Sequence, residues 1–174
     1  MKRNLQILVI LLFVSLEGIG QSITVSGGTW TPLVTSIMEA GNDYTSSTAQ
    51  SSTSQTNISV SVPDAFIGLL GNSYSVNIKR IDSGTNWDGA GIQIWAKRIG
   101  DGTGGGSFLL VRSSITGGNV TFQQITTTNL YFFEGINFGT TPRSNITIQY
   151  EIRGISVLVP VNNYTTTIVY TLID

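Results

Sequence analysis

Ser144-Asn145-Ile146-Thr147-Ile148-Gln149-Tyr150-Glu151-Ile152-Arg153 decides the fold class of this chain. Its side chains alternate strictly. Ile146, Ile148, Tyr150 and Ile152 fall on one face, and Thr147, Gln149, Glu151 and Arg153 on the other. Successive side chains of a strand point to opposite faces, so this is the pattern of an antiparallel strand with one face in a core and one in water.

The same period continues on both sides. Asn57 to Val62 sets Ile58, Val60 and Val62 against Ser59 and Ser61. Thr, Val, Ile and Tyr dominate, as a pleated, half-buried surface favours. The pattern predicts strands near 23–26, 29–37, 57–62, 74–81, 92–99, 107–112, 120–125, 130–133, 145–153, 156–159 and 164–173. Met38-Glu39-Ala40 has room for one helical turn, and no segment carries an apolar stripe of helical period. Gly, Asn and Asp clusters such as Asp82-Ser83-Gly84 and Gly100–Gly106 punctuate the strands. The expected architecture is all-β: an antiparallel two-sheet sandwich, immunoglobulin-like or jelly roll. The Ser/Thr run from Thr45 to Thr56 reads first as a loop, with an exposed edge strand as the alternative. Two strands end alike, Lys79-Arg80-Ile81-Asp82 and Lys97-Arg98-Ile99-Gly100, and cations so placed discourage sheets from adding edge to edge.

The head of the chain is of another kind. Met1-Lys2-Arg3-Asn4 is basic, Leu5–Val14 is apolar except for Gln6, and Gly18-Ile19-Gly20 offers small residues before Gln21. This is the layout of a secretory signal peptide cleaved after residue 20. The run is about half the roughly 20 residues that span a bilayer, and no Cys follows for a lipid anchor. The expectation is residues 1–20 as leader and 21–174 as one β-sandwich domain, exported to the periplasm, cell surface or medium.

Composition narrows the chemistry. Loss of Lys2, Arg3 and Glu17 with the leader leaves seven cations against nine carboxylates, a side-chain net of −2. That balance argues against nucleic acid and against polybasic docking at a membrane, and no stretch after the leader is long enough for membrane insertion. The chain has no His and no Cys. Ser-His-Asp and Cys-His catalysis, imidazole bases and the usual zinc sites are thereby excluded. No carboxylate pair stands out for glycosidase chemistry, so no catalytic residue is assigned and the chain is read as a non-enzyme.

Two weaker constellations exist. Asp82-x-Gly84-x-Asn86-x-Asp88 spaces oxygens at alternate positions, as calcium loops do, making Asp82, Asn86 and Asp88 candidate ligands and calcium the one candidate cofactor. The competing reading is a turn whose Asp and Asn bond their own backbone. Trp87 lies in a predicted loop and is the candidate for stacking on a sugar ring, whereas Trp30 and Trp95 read first as packing residues. Gly100–Gly106 lacks the Lys and helix of a phosphate loop and reads as a mobile hairpin tip.

Tyr164-Thr165-Thr166-Thr167-Ile168-Val169-Tyr170-Thr171-Leu172-Ile173 closes the chain with Tyr164, Ile168, Tyr170 and Leu172 on one face. This stretch resembles the C-terminal strand of secreted pilin-like domains of the spore coat protein U and chaperone–usher fimbrial group. The resemblance covers these last residues and the general β pattern. It implies an incomplete immunoglobulin-like sandwich, completed by an N-terminal strand from a neighbouring subunit. The chain departs from that group in having no cysteine pair, in Asn163 before the Tyr, and in the short segment Gln21–Ser26 ahead of Gly27-Gly28. That segment pairs either within its own domain or with a neighbour. The sequence therefore points to an exported pilin-like or adhesin-like subunit that partners itself by strand exchange. The alternative is a carbohydrate-binding sandwich that takes a surface glycan.

Overall fold

The computed structural model describes residues 20–33, 47–63, 71–84, 87, 90–156, 159–160 and 162–173. The predicted leader lies outside these residues apart from Gly20, as do Asn86 and Asp88. Among the described residues the chain is all-β, with no α-helix. The strands are β1 (Ser22–Gly27), β2 (Ser47–Gln50), β3 (Thr56–Ser61), β4 (Asn72–Ser83), β5 (Gln93–Arg98), β6 (Thr103–Gly104), β7 (Ser107–Phe108), β8 (Val111–Arg112), β9 (Ser114–Thr116), β10 (Gln123–Ile125), β11 (Leu130–Asn137), β12 (Arg143–Ile155) and β13 (Thr165–Ile173).

Two antiparallel sheets form the sandwich. Sheet A runs β1-β3-β12-β5-β10, with β2 and β6 also on β12; sheet B runs β13-β4-β11-β9. The decisive stretch of sequence is β12, and its alternation places it at the centre of sheet A. Ile146 and Ile148 are fully buried, and Tyr150 and Ile152 nearly so. Facing them from sheet B are Val76 and Ile78 of β4 and Phe132 and Phe133 of β11, all fully or almost fully buried. Each such aliphatic or aromatic side chain contributes about 1.5–3 kcal/mol by leaving water. That burial and the ladders hold a domain with no disulfide.

Part of the Ser/Thr run is strand after all. β2 and β3 lie along the same side of β12, separated by residues 51–55. At the gap Ser51 replaces the ladder: its N–H donates to Tyr150 O at 3.0 Å, and its Oγ accepts from Tyr150 N–H at 2.9 Å. A hydroxyl satisfies a backbone group that would otherwise be buried without a partner, which is how a Ser/Thr-rich segment belongs to a sheet.

A register shift in β11 between Tyr131 and Phe133 carries a bulge. The extra residue turns two neighbouring side chains, Phe132 and Phe133, into the core while Tyr131 stays outside. The predicted strands over 29–33 and at Ser156 and Val159 are not strands in the structure.

A hydroxyl relay joins the two sheets. Tyr150 of β12 donates to Thr56 Oγ1 at 2.9 Å, and its oxygen lies 2.8 Å from the hydroxyl of Tyr170 on β13. Tyr150 has one proton and gives it to Thr56, so Tyr170 donates to Tyr150. Trp30 stacks on the Tyr150 ring with centroids 6.5 Å apart.

Candidate functional site

The corner holding Asp82 and Trp87 is a packing corner. Trp87 is 5% exposed. Its Nε1 donates to Thr165 O at 3.1 Å, Tyr164 meets it edge-on at 5.5 Å, and the Arg80 guanidinium lies 5.3 Å from its ring centroid. A ring enclosed in this way presents no face to a sugar, which corrects the expectation of an exposed platform at Trp87. The error is physical: an irregular segment folds inward when its indole has a carbonyl to bond and rings to pack on. Asp82 Oδ1 sits 3.4 Å from Arg80 Nη1. Its proposed co-ligands Asn86 and Asp88 lie outside the described residues, and among the described residues no three His, Cys, Asp or Glu side chains gather to hold a metal.

The Gly-rich run is built into the end of the sandwich. Thr103 and Gly104 pair with Ser144 and Arg143 of β12, and Gly105 is buried. Gly105 N donates to Pro142 O at 3.0 Å, and Phe138 N donates to Gly105 O at 2.7 Å. Gly106 has φ +72°, and a Cβ there would stand 2.0 Å from Phe138 O. The glycines serve backbone-to-backbone contact, where no side chain fits. Two buried arginines fasten this end. Arg98 donates from Nε to Gly117 O at 2.8 Å and pairs with Asp101. Arg143 donates to Asp101 O and to Ser113 Oγ, each at 2.8 Å. The fork of a guanidinium suits this task, because it bridges several loop carbonyls at once. Burial of the neighbouring Tyr74 pushes its hydroxyl pKa up, with the positive charges of Arg143 and Arg98 acting the other way.

The described carboxylates are engaged rather than grouped in a cleft. Asp101 pairs with Arg98 and Glu151 with Arg153, and Glu134 accepts from Thr116 at 3.3 Å.

The outer face of sheet A is different in character. Across its strands Gln50, Glu151, Trp95 and Gln124 stand in one register row. Trp95 was expected in the core; Ile94 and Ala96 are buried instead, so Trp95 faces outward. Gln50 Nε2 donates to Glu151 Oε2 at 2.5 Å, and Arg153 pairs with the same carboxylate. The Arg153 guanidinium then lies 3.9 Å from the Trp95 ring centroid, and Trp95 Nε1 donates to Gln93 Oε1 at 3.2 Å. A groove of about 400 Å³ opens on the β10 side of Trp95, lined by Val120, Thr121, Phe122, Gln123 and Gln124 among others.

The strand edges also differ from one side of the sandwich to the other. On one side the terminal strands are β9 and β10, three residues each. On the other they are β1 and β13, six and nine residues, which lie beside one another. Among the described residues β1 pairs only with β3, and β13 only with β4. Neither strand contains a charge or a proline. The cations expected to guard edges sit instead on the central strands β4 and β5, bonded on both sides.

No protein-family model, no curated protein sequence and no solved structure matches the chain. The site therefore stands on geometry alone. The sequence sets Trp95 in alternation with Ile94 but leaves open which of the two faces the core, so the Trp95 groove is not legible from it. The signal that finds it is parity: with Ile94 inward, Trp95 is outward.

Proposed function

We propose that this chain is an exported, non-enzymatic structural or interaction subunit that associates with further copies through its β1–β13 side. The observation that carries this reading is the pair of long, uncharged terminal strands, β1 and β13, on one side of the sandwich. Soluble β-proteins protect terminal strands by keeping them short or by placing Lys, Pro or bulges on them. The β9–β10 side follows that rule, and the β1–β13 side does not. Every second residue of β13 directs its N–H and C=O away from β4, a template for an added strand. β1 is held mainly by its ladder to β3, with Val25 47% exposed. Such a strand is suited to exchange because little apolar burial anchors it. This agrees with the resemblance of the closing strand to the pilin-like group.

Sedimentation velocity and negative-stain microscopy of the chain lacking residues 1–20 test the proposal. Concentration-dependent oligomers or filaments are expected. Thr24→Lys and Thr167→Lys, both at exposed positions, should return the protein to monomer while leaving its thermal midpoint within a few degrees. Uniform monomers at all concentrations, unchanged by deleting residues 21–27, would refute it.

A further inference from the structure

We propose that the Trp95 groove on the outer face of sheet A binds an acidic polysaccharide, with a pyranose ring against Trp95 and Phe122 and a uronate carboxylate on Lys97. This site is separate from the β1–β13 side and from the buried Trp87.

The case begins with how Trp95 is held. Arg153 of β12 stacks on the indole at 3.9 Å and is fixed by the nearly buried Glu151, which Gln50 also bonds. Gln93 takes the indole N–H. The ring is therefore positioned from the β12 side, and the groove opens on the opposite, β10 side. An aromatic ring locked before binding avoids the entropy cost of ordering it on contact.

The lining then names the ligand class. Trp95 and Phe122 supply apolar ring surface, suited to the C–H faces of a pyranose. Gln124 stands directly across from Trp95, and Thr121 and Gln123 share the lining. Gln123 pairs with the inward Ala96 and its amide is given to Tyr131 O at 2.7 Å on the inner side, so Gln124 and Thr121 are the polar groups that meet a ligand on the outer face. Amides and hydroxyls beside aromatic surface match a ligand that is apolar on its ring faces and dense in hydroxyls at its rim. A purely hydrophobic ligand would leave these polar groups unpaired at a cost.

Charge selects within that class. Arg153 is neutralised by Glu151. Lys97 stands over Phe122 at 5.9 Å, and among the described residues no carboxylate pairs with it. Lys97, over the groove-lining Phe122, thus sets one surplus positive charge beside the groove on a weakly acidic protein. A carboxylate-bearing sugar satisfies Lys97, and a neutral sugar leaves it as it was. The depression of about 400 Å³ is open to solvent and does not enclose a small molecule. Its open, shallow form suits a few units of an extended chain.

The test is isothermal titration with galacturonate hexamer and alginate hexamer as acidic probes and cellohexaose as the neutral one. The protein carries Thr167→Lys throughout, so that self-association does not enter the readout. At least one uronate hexamer should bind at least tenfold more tightly than cellohexaose, and its affinity should fall with added salt. Trp95→Ala should weaken that binding tenfold or more, and Lys97→Gln should abolish the preference over cellohexaose. Both side chains lie on an outer face, and circular dichroism should show the fold retained. Gln124→Ala serves as a third variant, with a severalfold loss expected. Failure of both uronates to bind would overturn the proposal, as would binding unchanged by Trp95→Ala and Gln124→Ala or equal affinity for cellohexaose. None of these results depends on whether the wild-type chain assembles.

Discussion

The relay Tyr170–Tyr150–Thr56 is a polar clasp between two sheets that lack a disulfide, and its removal has calculable consequences. Tyr150 is the middle member: it donates to Thr56 and accepts from Tyr170. Tyr150→Phe leaves two groups without their partners in the core. At about 1–3 kcal/mol for each buried group left unsatisfied, it should cost about 2–4 kcal/mol. Tyr170→Phe removes only the terminal donor, and Tyr150 keeps its bond to Thr56, so about 1–2 kcal/mol is expected. In the double variant the hydroxyl that Tyr150→Phe strands on Tyr170 is itself gone. The double loss should therefore fall short of the summed single losses by about 1 kcal/mol or more. The same relay sets an alkaline limit. Burial pushes the Tyr170 hydroxyl well above the usual tyrosine value, and the nearby Tyr150 with the bond Tyr170 donates to it adds to the effect. Burial also raises Tyr150, with the hydrogen bonds that the Thr56 and Tyr170 hydroxyls can give to its ionised oxygen acting the other way. Unfolded tyrosines ionise near pH 10, while the folded pair holds its protons to higher pH. This contribution is complete below about pH 10 and is lost as pH rises toward the folded values. The slope is about 1.4 kcal/mol per pH unit for each tyrosine held neutral. Guanidinium unfolding from pH 8 to 11.5, with tyrosinate absorbance followed in parallel, reads both effects. Additive single losses, or the same alkaline slope in the double Phe variant as in the wild type, would refute the relay.

Three further outcomes follow from the core. Trp87→Ala should lower stability by about 3–5 kcal/mol, as for other large aromatic truncations, and should leave uronate binding intact, because the ring lies in the packing corner. Arg98→Met should cost about 1–3 kcal/mol by leaving the Gly117 carbonyl without its donor, while the mostly exposed Asp101 returns to water, and Arg98→Lys should recover little of it, since one ammonium does not reproduce the fork; denaturant midpoints measure both. Gly106→Ala should fail to fold or lose several kcal/mol in the same assay, because its Cβ would meet a backbone carbonyl at a left-handed φ.

Residues that obey a simple period were readable from the sequence. β12, β3, β4, β5 and β13 emerged from alternation because their inward positions are apolar, and the face chosen for Tyr164, Ile168, Tyr170 and Leu172 is the one packed on the core. Failures occurred where geometry breaks the period or polarity inverts it. The bulge at Tyr131–Phe133 buries two consecutive rings, which no alternation anticipates. On β5 the inward set is Ile94, Ala96 and Arg98 and the outward set includes Trp95, so hydrophobicity alone favours the wrong face. Arg98 is tolerated inside because Gly117 and Asp101, distant or irregular in sequence, supply its acceptors. Trp87 looked exposed because its loop context was local information, while its partners Tyr164 and Thr165 lie far along the chain. The Gly100–Gly106 run looked mobile because glycine content reports backbone freedom and not the contacts that such freedom permits.

The two proposals bear on different surfaces, and their geometry makes one act on the other. A strand added at β1 or β13 extends a sheet in its own plane and leaves the outer face of sheet A uncovered. Assembly would then array the Trp95 groove, one copy per subunit. A shallow site with one ring platform and one surplus cation would bind each sugar segment weakly. A row of such sites on one polysaccharide turns later contacts into intramolecular ones, and avidity exceeds the single affinity by about 10²–10⁴ when spacing allows simultaneous contact. Surface plasmon resonance on immobilised polygalacturonate and alginate compares assembled wild-type chain with the Thr167→Lys monomer. Dissociation of the wild type should be at least tenfold slower on the polymer that binds, while hexamer affinity measured in solution stays the same for both. Equal dissociation rates despite confirmed assembly would mean that the subunits do not present their grooves to a common chain, and the link between edge pairing and glycan capture would fail even with each proposal correct on its own.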